Sequence, residues 1–214
     1  MDLSRPMNVL DAELEVFRMR SDDLADGAVA ALLAAKKRGP DLVGAVEACA
    51  RAGSRPCADL LDHAHSVPGW VDFPAMRCGA QLGLKTPLQS ALALLLGSLV
   101  ESYGSAKGAK VLVRGGMLEK QVLQRLQDTT GFLIQVAASR GPRPGSSGHR
   151  HILRTRIVHG FVRHGMLARG DWDFAWGHPV NQEDYASTLL AFSHVYLRSM
   201  GRLGTPLSEE EEHS

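Results

Sequence analysis

The sequence is short of most features that announce a function at sight. Its three cysteines, Cys49, Cys57 and Cys78, are odd in number and form no C-x-x-C pair, which argues against a disulfide framework and a zinc ribbon. The longest uncharged apolar run, "TPLQSALALLLGSLV" at 86–100, is shorter than the roughly 18 residues a membrane-spanning helix needs, and Gln89 and Ser90 interrupt it. A buried helix is expected there. The opening "MDLSRPMNVLDAELEVF" has no basic region followed by an apolar core, so no secretory leader is expected and the chain reads as soluble and cytoplasmic. A formal net charge of +1 gives no global pull toward nucleic acid or a membrane surface. There is no Gly-rich phosphate loop, no G-x-S-x-G elbow and no H-E-x-x-H pair, so three common routes to catalysis are missing.

What is present is a helical protein. Over 214 residues, 44% hydrophobic and 22% charged content is that of a folded domain with a core able to enclose a cofactor or an apolar ligand. Apolar residues recur at helical spacing in nearly every segment. "SDDLADGAVAALLAAKKRGP" opens on acids and closes on bases, as the helix dipole favours. "DLVGAVEACARAG", "CADLLDHAHSVP", "DFPAMRCGAQLGLK" and the run beginning at Thr86-Pro87 follow, and then the long amphipathic "LEKQVLQRLQDTTGFLIQVAA". After the breaker "RGPRPGSSG" comes a helix over 149–168, a loop, and a last helix that Asn181 and Asp184 can open as a capping box. Only "AKVLVRG", within 107–115, reads equally as a strand. The expectation is an all-α fold: a single domain of roughly eight helices over 21–204, preceded by an N-terminal arm (1–20) and followed by an acidic tail (205–214).

Charge is unevenly placed along this chain. Between Asp128 and Asp171 there is no acidic residue, yet Arg140, Arg143, Arg150, Arg154, Arg156, Arg163 and Arg169 all fall there, without a lysine. Arginine offers a planar fork suited to carboxylates and phosphates. Within "RTRIVHGFVRHGM", Arg156, His159 and Arg163 stand at i, i+3 and i+7, on one narrow arc of a helix that is otherwise apolar around much of its circumference. Such a helix is buried, and two buried arginines need anionic partners, either from elsewhere in the chain or from a ligand. A haem, with an iron for the imidazole and two propionates for the guanidiniums, meets that need. A core histidine flanked by arginines paired to distant acids meets it equally well. A DNA-reading helix would expose its arginines, so that alternative fits poorly.

The same region carries a resemblance. R-x-x-H-x-x-x-R at Arg156, His159 and Arg163, followed by "WDFAWGHPVNQED" from Trp172 to Asp184 and a helix ending at "RLG", is similar to the signature of the latex-clearing protein (rubber oxygenase) and MpaB-type oxygenases. "LLGSLVESYGSAKGAKVLVRGGML" and "RLQDTTGF" extend the likeness upstream. The resemblance implies an all-helical fold that binds haem b, with His159 as the axial iron ligand and Arg156 and Arg163 beside the haem and its propionates. It also implies oxidation of an unsaturated, isoprenoid-like substrate with O2.

The polymer-cleaving members carry Arg-x-x-Lys-Thr where this chain has Arg125, Leu126, Gln127, Asp128 and Thr129. Aspartate inverts the charge at the lysine position, which argues against polyisoprene and for a small apolar metabolite. Arg125, Asp128 and Thr129 share a helix face and are the expected distal residues. There Arg125 would stabilise charge on oxygen and Asp128 would relay a proton, although the same residues can also form an ordinary surface ion pair. Glu101, at the end of the uncharged run, is a further candidate acid, or simply a solvated helix end. The chain ends soon after "GRLG", so the pocket is expected to be more open than in relatives, or completed by a second copy or a partner chain. A haem-binding sensor, carrier or accessory protein without enzymatic activity is the alternative function.

Overall fold

The computed structural model describes residues 9–37, 39–105, 107–115, 122–137 and 141–205. Helix α1 (Val9–Arg18) is followed by α2 (Asp23–Ala34), α3 (Leu42–Arg51), α4 (Arg55–His65) and α5 (Phe73–Lys85). Then come α6 (Pro87–Leu92), a π-helical turn (Ala93–Ser98) and α7 (Leu99–Ser102), which run on as one rod, and the short α8 (Ala109–Arg114). Helices α9 (Val122–Ala137) and α10 (Ser147–Leu167) precede a 3-10 turn (Phe174–Trp176). The last rod joins α11 (Gln182–Leu190), a second π-turn (Ala191–Val195) and α12 (Tyr196–Arg202). Among the described residues there is no strand, and the segment that read as either strand or helix is α8. No described helix is long and apolar enough to cross a membrane.

Local chemistry explains the boundaries. Asp22 accepts the Ala25 N–H, Asp41 the Gly44 N–H and Ser146 the His149 N–H, each pairing a donor that a helix start leaves unmatched. Asn181 and Asp184 form the expected reciprocal capping box at the start of α11. The uncharged run, expected as a buried helix, is helical but leaves Leu88, Leu96 and Val100 exposed, and it widens to π geometry after Leu92, an insertion common where a helix carries a site. Of the expected N-terminal arm, the described part holds α1, which packs on α11. Of the acidic tail, 206–214 lies outside the described residues.

Helix α10 is the axis of the fold. One side packs on α2 and α3, and α4 completes that layer. The resulting core contains Leu32, Val46, Leu60, Leu153 and Ile157, all buried; removing side chains of this size from water is worth roughly 1.5–3 kcal/mol apiece. Helices α2 and α10 approach closely because Gly160 has no side chain: a Cβ there would stand 2.9 Å from a Val29 methyl. On its other side α10 packs on α9. The two rods with π-turns touch each other further along.

Candidate functional site

The partners of the buried arginines come from α2. Asp22, the N-cap, and Asp26, four residues on, lie on one face of that helix. Arg156 forks onto Asp22, with Nε 2.8 Å from Oδ2 and Nη2 2.9 Å from Oδ1. Arg163, 1% exposed, donates through Nε to both Asp26 oxygens at 2.7 and 3.0 Å. Its Nη1 donates to the Val180 carbonyl at 3.0 Å and to the Tyr185 hydroxyl at 3.2 Å. Nη2 is buried and has no hydrogen-bond partner among the described residues. Burial by itself would raise the Asp22 carboxyl, but the Arg156 hydrogen bonds and charge, the Ala25 N–H and the Arg163 charge outweigh it and hold the group below its ordinary value.

His159 lies between these two ion pairs. Its Nδ1 is 3.2 Å from the Tyr185 hydroxyl, and the two rings are 5.5 Å apart. Burial and then the Arg163 charge lower its pKa to about 4, against a weaker opposite pull from Asp22, so the imidazole is neutral near pH 7. The Tyr185 oxygen receives the Arg163 N–H. When His159 Nδ1–H donates to that same oxygen, Nε2 is the unprotonated nitrogen and carries the lone pair, the form in which imidazole binds a metal. No hydrogen bond occupies Nε2 among the described residues. Burial raises the Tyr185 hydroxyl, with Arg163 opposing, so it stays a protonated, neutral bracing group.

The "WDFAWGHPVNQED" segment holds this arrangement from outside. Trp172 and Trp176 meet edge to face at 5.3 Å, and Trp172 Nε1 donates to the Gly177 carbonyl at 2.9 Å. Lys110 and Arg114 lie over the Trp176 ring at 5.1 and 5.3 Å. Gly177 takes φ of +84°, and a Cβ there would stand 2.7 Å from the Arg18 carbonyl oxygen, which accepts the His178 N–H. Gln182 bonds through its backbone N–H to the Arg20 carbonyl and through its side chain to the Ser21 carbonyl. The loop thereby fixes the link between α1 and α2, and with it Asp22. Val180, a β-branched residue with φ of +51°, presents its carbonyl to Arg163 from a conformation such residues rarely adopt.

The remaining expected residues lie on other elements. Arg125 is on α9, but its side chain lies outside the described residues. Asp128 is exposed and accepts from Gln124 at 3.0 Å on its own helix, and Thr129 beside it is half-buried. Glu101 is exposed and paired with Arg198, so it sits as a solvated helix end. Among the described residues no cluster of three or more His, Cys, Asp or Glu could hold a metal ion, which leaves His159 as a single-ligand candidate. Sequence reasoning missed Asp22, Asp26 and Tyr185. The two aspartates read as dipole-favourable acids at a helix start, and only their spacing of four, matched to two arginines one helix away, could have paired them.

A family model described as the catalytic domain of "ER-bound oxygenase mpaB/B'/Rubber oxygenase" matches residues 86–214. No curated protein and no solved structure matches the chain. The matched segment includes the arginine–histidine helix and the tryptophan loop, and the chain belongs to the MpaB/rubber-oxygenase family.

Proposed function

We propose that this protein is a haem b-dependent oxygenase in which His159 is the axial iron ligand. The observation that carries the reading is the state of that side chain: a neutral imidazole with Nδ1 held by Tyr185 and Nε2 left without a partner. That donor set fits haem iron, and Leu189, one turn beyond Tyr185 on the same helix face and 70% exposed, offers apolar surface to a macrocycle. The guanidinium forks fit propionates less well, because Asp22 and Asp26 already hold them. Arg156 and Arg163 therefore act chiefly as braces, with Arg163 Nη2 as the donor left for an anionic ligand.

A bound haem would supply O2 activation for oxidation of an unsaturated carbon skeleton. The chain's part is to hold the imidazole in one tautomer through the run Asp26–Arg163–Tyr185–His159, and to keep the region apolar. α9, which carries Arg125–Thr129, packs against α10, which carries His159. Arg125 and Thr129 are assigned to positioning oxygen or substrate there, with Asp128 as proton relay. The substrate is a small apolar, isoprenoid-like metabolite rather than polyisoprene, since Asp128 replaces the lysine of polymer-cleaving relatives. The exposed Asp128–Gln124 and Glu101–Arg198 pairs favour the second reading, a haem protein that binds without turning over.

Protein produced with ample haem is expected to show a Soret band that His159→Ala abolishes and Tyr185→Phe shifts. An unchanged haem content in His159→Ala would overturn the ligand assignment. Consumption of O2 by the ferrous protein in the presence of an olefin separates the oxygenase from the silent binder.

A further inference from the structure

A second feature of the molecule has the composition of a binding site and does not include His159. Between α5, α9 and the Ala191–Val195 π-turn lies an open cleft of about 500 Å3, a size that takes small organic ligands. Small residues make the room: Gly79, Ala80 and Gly83 form one face of α5, and Ala137 ends α9 opposite. The walls are mostly apolar and include Phe73, Leu94, Leu133, Ile134 and Phe192. The polar groups deep in the cleft need nothing from a ligand. Ser90 Oγ lies 2.8 Å from the Tyr196 hydroxyl and 3.3 Å from the Gly83 carbonyl, so the two hydroxyls and the carbonyl satisfy one another.

The charged residues lining the cleft are of one sign. Arg77 and Arg143 both contribute, and among the described residues no acidic one does. The Arg143 guanidinium lies 4.5 Å from the centre of the Phe73 ring, and Arg77 is one turn beyond Phe73 on the same face of α5. Neither arginine has a carboxylate partner among the described residues, unlike Arg150, Arg156, Arg163 and Arg198. An apolar trough flanked by two uncompensated guanidiniums is complementary to an amphipathic anion.

We propose that this cleft binds an apolar chain ending in an anionic head, carboxylate or phosphate, with the chain along α5 and α9 and the head at Arg77 and Arg143. This goes beyond the haem reading and does not depend on it. Calorimetric titration of the 214-residue protein with dodecanoate, dodecyl phosphate and dodecanol tests it. At least one anion should bind saturably at one per chain, and whichever binds tighter identifies the head group. Dodecanol should bind about tenfold more weakly, the loss expected of one charge-assisted contact.

Arg77→Gln, at an exposed position that folding does not need, should bring the anion down toward the alcohol, and Arg77→Gln with Arg143→Gln should remove the difference. Ala80→Trp should block all three probes. His159→Ala should leave dodecanoate binding intact, so failure of the haem assignment and failure of this one give different results. Equal affinities for alcohol and anions, indifference to Arg77→Gln, absence of saturable binding, or loss of binding in His159→Ala would each overturn the proposal.

Discussion

The two sides of this molecule are finished to different degrees. Where α2, α3 and α4 meet α10, leucines and valines are fully enclosed and the cations beneath them are matched by carboxylates at hydrogen-bond distance. Along the two rods with π-turns, large apolar side chains face outward: Leu96 is 69% exposed, and Leu88, Leu189 and Leu190 stand out likewise. A core that encloses its apolar surface is stable without help. Exposed apolar surface of this extent marks a place where something binds. The residues assigned to chemistry sit where the two kinds of region meet, on a helix braced from the closed side.

Truncations on the two sides should therefore differ most. Leu60→Ala, in the closed layer, is expected to cost about 2–5 kcal/mol, and Leu96→Ala, on the open rod, no more than about 0.5 kcal/mol, both read from urea unfolding midpoints. Comparable losses would mean that the rod is covered in solution. Next in size is Arg163→Met, which leaves Asp26 without its partner and is expected to cost about 2–4 kcal/mol. Arg163→Lys should recover little of it, because an ammonium cannot serve Asp26, Val180 and Tyr185 together.

The smallest effects separate the regions by sign. Asp22 is held below its ordinary carboxyl value, so its contribution to stability is present above the unfolded value and lost as pH falls through the folded one. Asp22→Asn should be less stable than the parent at neutral pH, with the gap closing in acid. Asp184, on the tryptophan-loop side, is pushed up to about 6, by burial first and then by the Glu183 charge, against the Asn181 N–H. Its contribution is present below the unfolded value and is lost as pH rises through about 6. Asp184→Asn should gain on the parent at neutral pH, and that gap too should close in acid. Melting temperatures between about pH 2 and 7.5 check both, and gaps of the same sign would contradict the contrast.

Much of the fold is legible in the chain because breakers and caps are local. The helix starts at Asp22, Asp41, Ser146 and Asn181 need only neighbours three residues away. The buried character of α10 is legible too, since Ile157, Val158, Phe161 and Val162 surround the cationic arc. What pairs with that arc is not, because Asp22 lies 134 positions from Arg156 and nothing local distinguishes its carboxylate from the acids beside it. The π-turns were equally hidden. "ALALLLGS" has the composition of an ordinary helix, and the close approach of Gly97 to Ser199 across the bundle is not a local feature. Nor could spacing show that Val180 would turn its carbonyl onto Arg163 from a positive φ.

The pairing of α2 with α10 bears on where this protein can be cut. The segment shared with the oxygenase family starts at residue 86, whereas both carboxylates that neutralise its arginines, and the layer that encloses Ile157, come from before it. A fragment trimmed to that homologous border would strand two guanidiniums on an apolar helix and uncover one whole side of it. The homologous border and the border of cooperative folding are thus different lines on this chain, more than sixty residues apart, since Asp22 must be kept and the shared segment begins only at residue 86.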